Sequence, residues 1–202
     1  MLRLYDYLSS GNGYKCRLLL HQLGIPYQRI ELDILAGETR TPEFLARNPN
    51  GRIPVLELED GTVLAESDAI LFYLADGRPF LPADRLQRAQ VLQWLFFEQY
   101  SHEPFIAVAR FILHLLPEDT PRRAELPRLR QGGKAALGVL EQRLRAQPFL
   151  VADRYTIADI ALYAYTHCAE EGGLALSDYP AVTAWLERVA GQPGHIPITT
   201  AG

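Results

Sequence analysis

The rhythm of apolar and polar positions changes along the chain, and each change predicts an element. Over residues 2–7 apolar and polar side chains alternate, aromatics apart, and the run stops at Ser9-Ser10-Gly11-Asn12-Gly13, which predicts a strand entering a loop. Cys16, Leu19, Leu20 and Leu23 then fall at i, i+3, i+4 and i+7, the stripe of a helix that Gly24 and Pro26 stop. Residues 27–32 read as a second strand. Thr41-Pro42-Glu43 reads as the start of a short helix, with Pro at its first position, ending in the turn Asn48-Pro49-Asn50-Gly51. Residues 55–58 and 62–64 flank Asp60-Gly61, a pair suited to a tight hairpin, and Ser67 is expected to cap a helix to about residue 75. Strand, helix, strand, helix, hairpin, helix makes an α/β unit with a mixed sheet. After Gly77-Arg78-Pro79-Phe80-Leu81-Pro82 strand signals vanish, and helical patterns run over residues 84–189 with breaks near Pro104, residues 117–127, Pro148 and Gly172-Gly173. The expected organisation is an α/β domain over residues 1–77, a linker over 78–85 and an all-helical domain over 86–202.

Composition narrows the function classes. The 202 residues are 48% hydrophobic and 22% charged, an ordinary globular balance that excludes collagen-like and disordered classes. Twenty basic against 24 acidic side chains give −4 at pH 7 without a Lys/Arg cluster, so the electrostatic footprint of a nucleic-acid binder is missing and a small neutral or anionic partner fits better. Cys16 and Cys168 make no disulfide framework and no zinc spacing, and the five histidines share no metal spacing, so no metal is expected. An acid at Asp6 interrupts the start too early for a signal peptide, and Arg110 and His114 break the longest apolar stretch, residues 105–116. The expectation is a cytoplasmic protein without a membrane span.

Four motifs stand in order at settings that support one another: Ser9-Ser10-Gly11-Asn12-Gly13-Tyr14-Lys15 after the first strand, Asn48-Pro49-Asn50-Gly51-Arg52-Ile53-Pro54-Val55-Leu56 before the third, Glu66-Ser67-Asp68-Ala69-Ile70 opening the third helix, and Tyr155-Thr156-Ile157-Ala158-Asp159-Ile160 in the helical half. With them the first unit resembles a thioredoxin-like domain. Nearly the whole chain resembles a cytosolic glutathione transferase, with a bacterial, serine-type or nu-like loop. The resemblance implies an α/β thioredoxin-like N-terminal domain, an all-α C-terminal domain, glutathione as co-substrate, a small electrophilic or disulfide second substrate, and a homodimer.

It also assigns roles. Ser67, at a helix N-terminus, suits a carboxylate and Glu66 beside it an ammonium, so the pair matches the γ-glutamyl end of glutathione. A cis peptide at Ile53-Pro54 would turn the Ile53 backbone outward to pair with the tripeptide like an added strand. Arg52 is placed to meet the glycyl carboxylate, and Thr39 and Arg40 lie where relatives add a contact. Ser10 and Asn12 are the two donors at the first loop able to hold a thiolate, and which of them touches sulfur stays open. Tyr7, Tyr100, Pro104, Phe105 and Arg110 are candidates for an electrophile pocket. Cys16, on the apolar stripe, reads as a buried core thiol, which disfavours an enzyme-cysteine mechanism. Thr156 and Asp159 form a capping box with a folding role. Two alternatives stand beside the enzyme: a non-catalytic binding module, and a maleylacetoacetate isomerase of the zeta type, against which Asn12 counts because it stands where that family carries a cysteine.

Overall fold

The computed structural model describes residues 1–201, which fall into two compact units: residues 1–76 together with the tail from Pro193 onward, and residues 77–192. The first unit runs β1 (Leu2–Asp6), α1 (Gly11–Gln22), β2 (Tyr27–Glu31), α2 (Pro42–Arg47), β3 (Val55–Glu57), β4 (Val63–Ala65) and α3 (Ser67–Ala75), with a 3₁₀ turn at Glu38–Arg40. Its sheet has the order β2-β1-β3-β4, with β1 parallel to β2 and antiparallel to β3, and β3 antiparallel to β4. This is the expected thioredoxin-like α/β unit.

Strand alternation divides the sheet's two faces. Tyr5 and Val55 pack with Phe44 of α2, while Leu4 and Leu56, both fully buried, point to the other face with Asp6. On that face the backbone of α1 comes so close to β1 that a Cβ added at Gly13 would lie 1.5 Å from Asp6 Oδ1. Each fully buried Leu side chain contributes about 1.5–3 kcal/mol of transfer free energy.

Helix α1 departs from the single-stripe expectation. Tyr14, Lys15 and Arg17 are buried together with Cys16, Leu18, Leu19 and Leu20, and Leu23 serves as the C-cap. For Tyr14 and Arg17 the cause lies far along the chain, in the tail, and for Lys15 it lies in α3. Tyr14 Oη donates to the Ile196 carbonyl (2.6 Å), Arg17 donates to the carbonyls of Ile198 and Thr200, and His21 Nδ1 lies 2.8 Å from the Gly194 carbonyl. Arg17 also reaches the Leu8 carbonyl (2.6 Å) and lies 2.8 Å from Asp6 Oδ2, with both side chains fully buried. Burial raises the Asp6 carboxyl to about 6 against the pull of Arg17.

The second unit is all helical: α4 (Arg85–Phe97), α5 (Glu103–Arg110), α6 (Leu126–Ala146), α7 (Ile157–Thr166) and α8 (Pro180–Ala190). Pro104 does not break the chain's helical path as expected. The helix widens into a π turn at Glu98–His102, where Glu103 N–H reaches back to the Glu98 carbonyl, and Pro104 follows in the first turn of α5. Phe105 lies over Gly132 of α6, where a Cβ would come 2.2 Å from its ring, so the close approach of α5 to α6 needs glycine there. The capping box of α7 forms as expected: Thr156 and Asp159 satisfy one another's backbone, and Asp159 also accepts from Leu150 N and Trp185 Nε1, both at 3.0 Å. Complete burial raises the Asp159 carboxyl to about 6 despite these donors. Among the described residues no helix is long and apolar enough to cross a membrane, and no group of three or more His, Cys, Asp or Glu side chains could hold a metal.

Candidate functional site

The sheet register gathers three of the four motifs at one end of the first unit. Tyr5 pairs with Val55 and Val55 with Ala65, so the end of β1, the start of β3 and the end of β4 lie side by side. The chain leaving β1 forms the loop to Ser10, the chain entering β3 is Arg52-Ile53-Pro54, and the chain leaving β4 is Glu66-Ser67.

At the first of these, Ser10 is the N-cap of α1, and its hydroxyl oxygen accepts from Gly13 N at 3.2 Å. That bond leaves the hydroxyl proton to donate elsewhere, so capping and thiol activation are compatible roles. Asn12, one residue into the helix, is partly buried. The start of α1 presents first-turn N–H groups with no partner in the helix, and the positive end of its dipole.

At the third, the structure corrects the expected cap. Glu66 is the N-cap residue of α3, exposed and held at φ 70°, where L side chains are rarely found, and it makes no side-chain cap bond. Ser67 is the first helical residue, 4% exposed, and its hydroxyl does different work: it accepts from Lys15 Nζ (3.3 Å) and donates to Asn12 Oδ1 (3.4 Å). Lys15 is fully buried and also meets Asp68 Oδ1 at 3.2 Å. Sequence reasoning gave Lys15 and Asp68 no role. The available signal was composition: in a chain with 18 Arg and 2 Lys, one of the two lysines sits beside the apolar stripe of α1.

At the second, the Ile53-Pro54 peptide is cis, and Ile53 lies outside the β3 ladder, which begins at Val55. Buried Asn48 shapes the approach, donating to the Arg52 carbonyl (2.8 Å) and accepting from Asn50 N (3.1 Å). Arg52 is exposed. Thr39 is 6% exposed, and Arg40 Nη1 donates to the Asn50 carbonyl at 3.1 Å, which sets the 3₁₀ turn against the Asn48–Gly51 turn.

The pocket candidates are less uniform. Tyr7 is partly buried at the end of β1 in the first unit. In the second unit Tyr100 is 84% exposed in the π turn, Pro104 is partly buried, Phe105 packs over Gly132, and Arg110 is 4% exposed with Nε donating to Glu171 Oε2 at 2.7 Å. Phe105 and Arg110 thus have packing and ion-pair work within the helical unit.

Both cysteines are free and buried. Burial raises the Cys16 thiol far above its ordinary value and pushes Cys168 up to about 12, so neither is a thiolate near neutral pH. Cys16→Ala is expected to lower stability by about 1–2 kcal/mol through lost packing. Turnover per folded molecule should persist, and its loss in a well-folded variant would make Cys16 a nucleophile.

Comparison with known proteins places these features. The model of the glutathione S-transferase N-terminal domain matches residues 1–76, and that of the C-terminal domain matches residues 95–193. The chain is 33% identical over 200 residues to the disulfide-bond oxidoreductase YfcG of Escherichia coli, covering 96% of this chain and 92% of that protein. Its structure is similar to that of a glutathione S-transferase from Pseudomonas fluorescens, with a TM-score of 0.94 and 56% identity over 98% of this chain and 99% of that one. It is also similar to a glutathione transferase from Burkholderia graminis solved with two glutathione molecules bound per subunit, with a TM-score of 0.83 and 32% identity over 96% of this chain and 85% of that one.

Proposed function

The chain belongs to the glutathione S-transferase family, and from that premise we propose that it is a glutathione-dependent enzyme that holds the glutathione thiol as thiolate at the start of α1 and turns it on a small disulfide. The observation that carries this reading is the meeting of Ser10, Asn12 and Ser67 at one end of the sheet, with Asn12 and Ser67 in direct contact.

The residues fit the tripeptide. The first-turn N–H groups of α3, that of Ser67 among them, take the γ-glutamyl carboxylate, and exposed Glu66 takes the ammonium. Ile53 pairs with the cysteinyl backbone, Arg52 meets the glycyl carboxylate, and Thr39 and Arg40 flank it. A free thiol with pKa near 8.5 is about 3% ionised at pH 7, and lowering that value by two units requires about 2.7 kcal/mol. A hydrogen bond to a charged group supplies about 1.5–3 kcal/mol and a helix N-terminus about 0.3–2, so Ser10 or Asn12 together with the α1 dipole suffices without a metal.

Glutathione supplies the nucleophilic sulfur, and two molecules together supply the two electrons that cleave a disulfide. The similarity to a disulfide-bond oxidoreductase and to a protein holding two glutathiones per subunit supports disulfide reduction over conjugation. The buried state of Cys16 supports a sulfur brought by the substrate. The homodimer belongs to the same reading.

Turnover of hydroxyethyl disulfide with glutathione, set against conjugation of a chloro-nitrobenzene, tests the reaction type. Faster disulfide reduction is expected. Faster conjugation would overturn the preference, and binding to immobilised glutathione with no turnover of either substrate would make the protein a binding module.

A further inference from the structure

The buried ammonium of Lys15 gives a direction to the contacts at this site. An ammonium has three donors and no acceptor, so in its contact with Ser67 the hydroxyl oxygen must accept. The Ser67 proton is thereby left to be donated, and it goes to Asn12, which can receive it only through its carbonyl oxygen. With Oδ1 held toward Ser67, the amide N–H₂ of Asn12 lies on the opposite branch of the side chain, facing away from Ser67. Asp68, at 3.2 Å from Nζ, holds the ammonium between α1 and α3.

We propose that Lys15 is a positioning residue that acts through Ser67 to fix the Asn12 amide with its N–H₂ group presented as the thiolate donor. The inference rests on the thiolate reading above and deepens it, since it selects Asn12 as a donor and links that donor to the residue that takes the γ-glutamyl end. Without the cation, the Ser67 hydroxyl can turn either way, and the Asn12 amide loses a contact that distinguishes its oxygen from its nitrogen. The contacts of 3.3 and 3.4 Å are long, as hydrogen bonds of a site without its substrate commonly are.

Lys15→Met alone leaves Asp68 buried without its counter-charge and is liable to unfold, so the test uses the paired variant Lys15→Met/Asp68→Asn, checked by thermal melting. The readout is the pKa of bound glutathione thiol by ultraviolet titration, in wild type, in Asn12→Ala, in the paired variant and in the triple combination. A mere folding role would leave that pKa unmoved in variants that melt as wild type does. The expected result is a rise of about one unit in the paired variant, a rise at least as large in Asn12→Ala, and no further rise when the two are combined. An unchanged pKa in the paired variant, or an equal rise with and without Asn12, would overturn the proposal, the latter because the charge would then act through space. An unshifted pKa in Asn12→Ala would also overturn it while leaving Ser10 as donor. A wild-type thiol that titrates like free glutathione would instead refute the thiolate reading itself.

Discussion

Gly13→Ala is expected to lose about 3–5 kcal/mol of stability, the range seen when a buried ion pair is broken, out of the roughly 5–15 kcal/mol a domain possesses. The new Cβ would lie 1.5 Å from Asp6 Oδ1 and 2.3 Å from its Cγ. Asp6 cannot retreat cheaply, because its carboxylate hangs by one carbon from β1, is fully buried and faces fully buried Arg17. Moving it disturbs the same guanidinium that holds the Leu8 carbonyl of the first loop and the carbonyls of Ile198 and Thr200 in the tail. Glycine therefore serves here for close approach of helix to strand rather than for an unusual dihedral. Gly138 is the internal control, since it lies within α6 with open space at its Cβ. Gly138→Ala should gain about 0.5–1 kcal/mol from helix propensity and reduced freedom of the unfolded chain. Denaturant midpoints at constant m-value separate the two variants, and a Gly13→Ala protein within about 1 kcal/mol of wild type would contradict the packing account.

Ser67→Ala should weaken glutathione binding by about 1–3 kcal/mol, or roughly 5- to 150-fold. The change removes the acceptor for Lys15 and the donor to Asn12, which leaves the ammonium underserved beneath the N–H groups that meet the γ-glutamyl carboxylate, while Asp68 still neutralises the ammonium and keeps the helices together. The loss should thus appear in binding more than in folding. Calorimetry on the folded variant checks it, and an unchanged affinity would remove Ser67 from the binding site.

Most of the architecture is legible in the sequence because neighbours along the chain carry it. Period-two alternation marks β1, the Asp60-Gly61 turn marks the β3–β4 hairpin, and the apolar run after Ser67 marks α3 over Ser67–Ala75. The capping box at Thr156 is equally local. Reading fails where a distant segment decides. The burial of Tyr14 and Arg17 depends on a tail some 180 residues away and that of Lys15 on α3, so a one-sided apolar stripe describes only half of α1. Pro104 reads as a break because a π turn, which re-phases the helix before it, leaves no pattern in hydropathy. The cis Ile53-Pro54 peptide is expected only through the family resemblance, since local sequence favours trans. At the site, the nucleating motifs are visible, whereas the Lys15, Ser67 and Asn12 contacts join residues more than fifty positions apart and require the sheet register to bring them together.

The central claim is that this site ionises a thiol, and ultraviolet titration of the thiolate in the glutathione complex measures that directly. The account predicts a midpoint about two units below that of free glutathione, rising toward the free value when the donor among Ser10 and Asn12 is replaced by Ala. A bound thiol that titrates like free glutathione would contradict it.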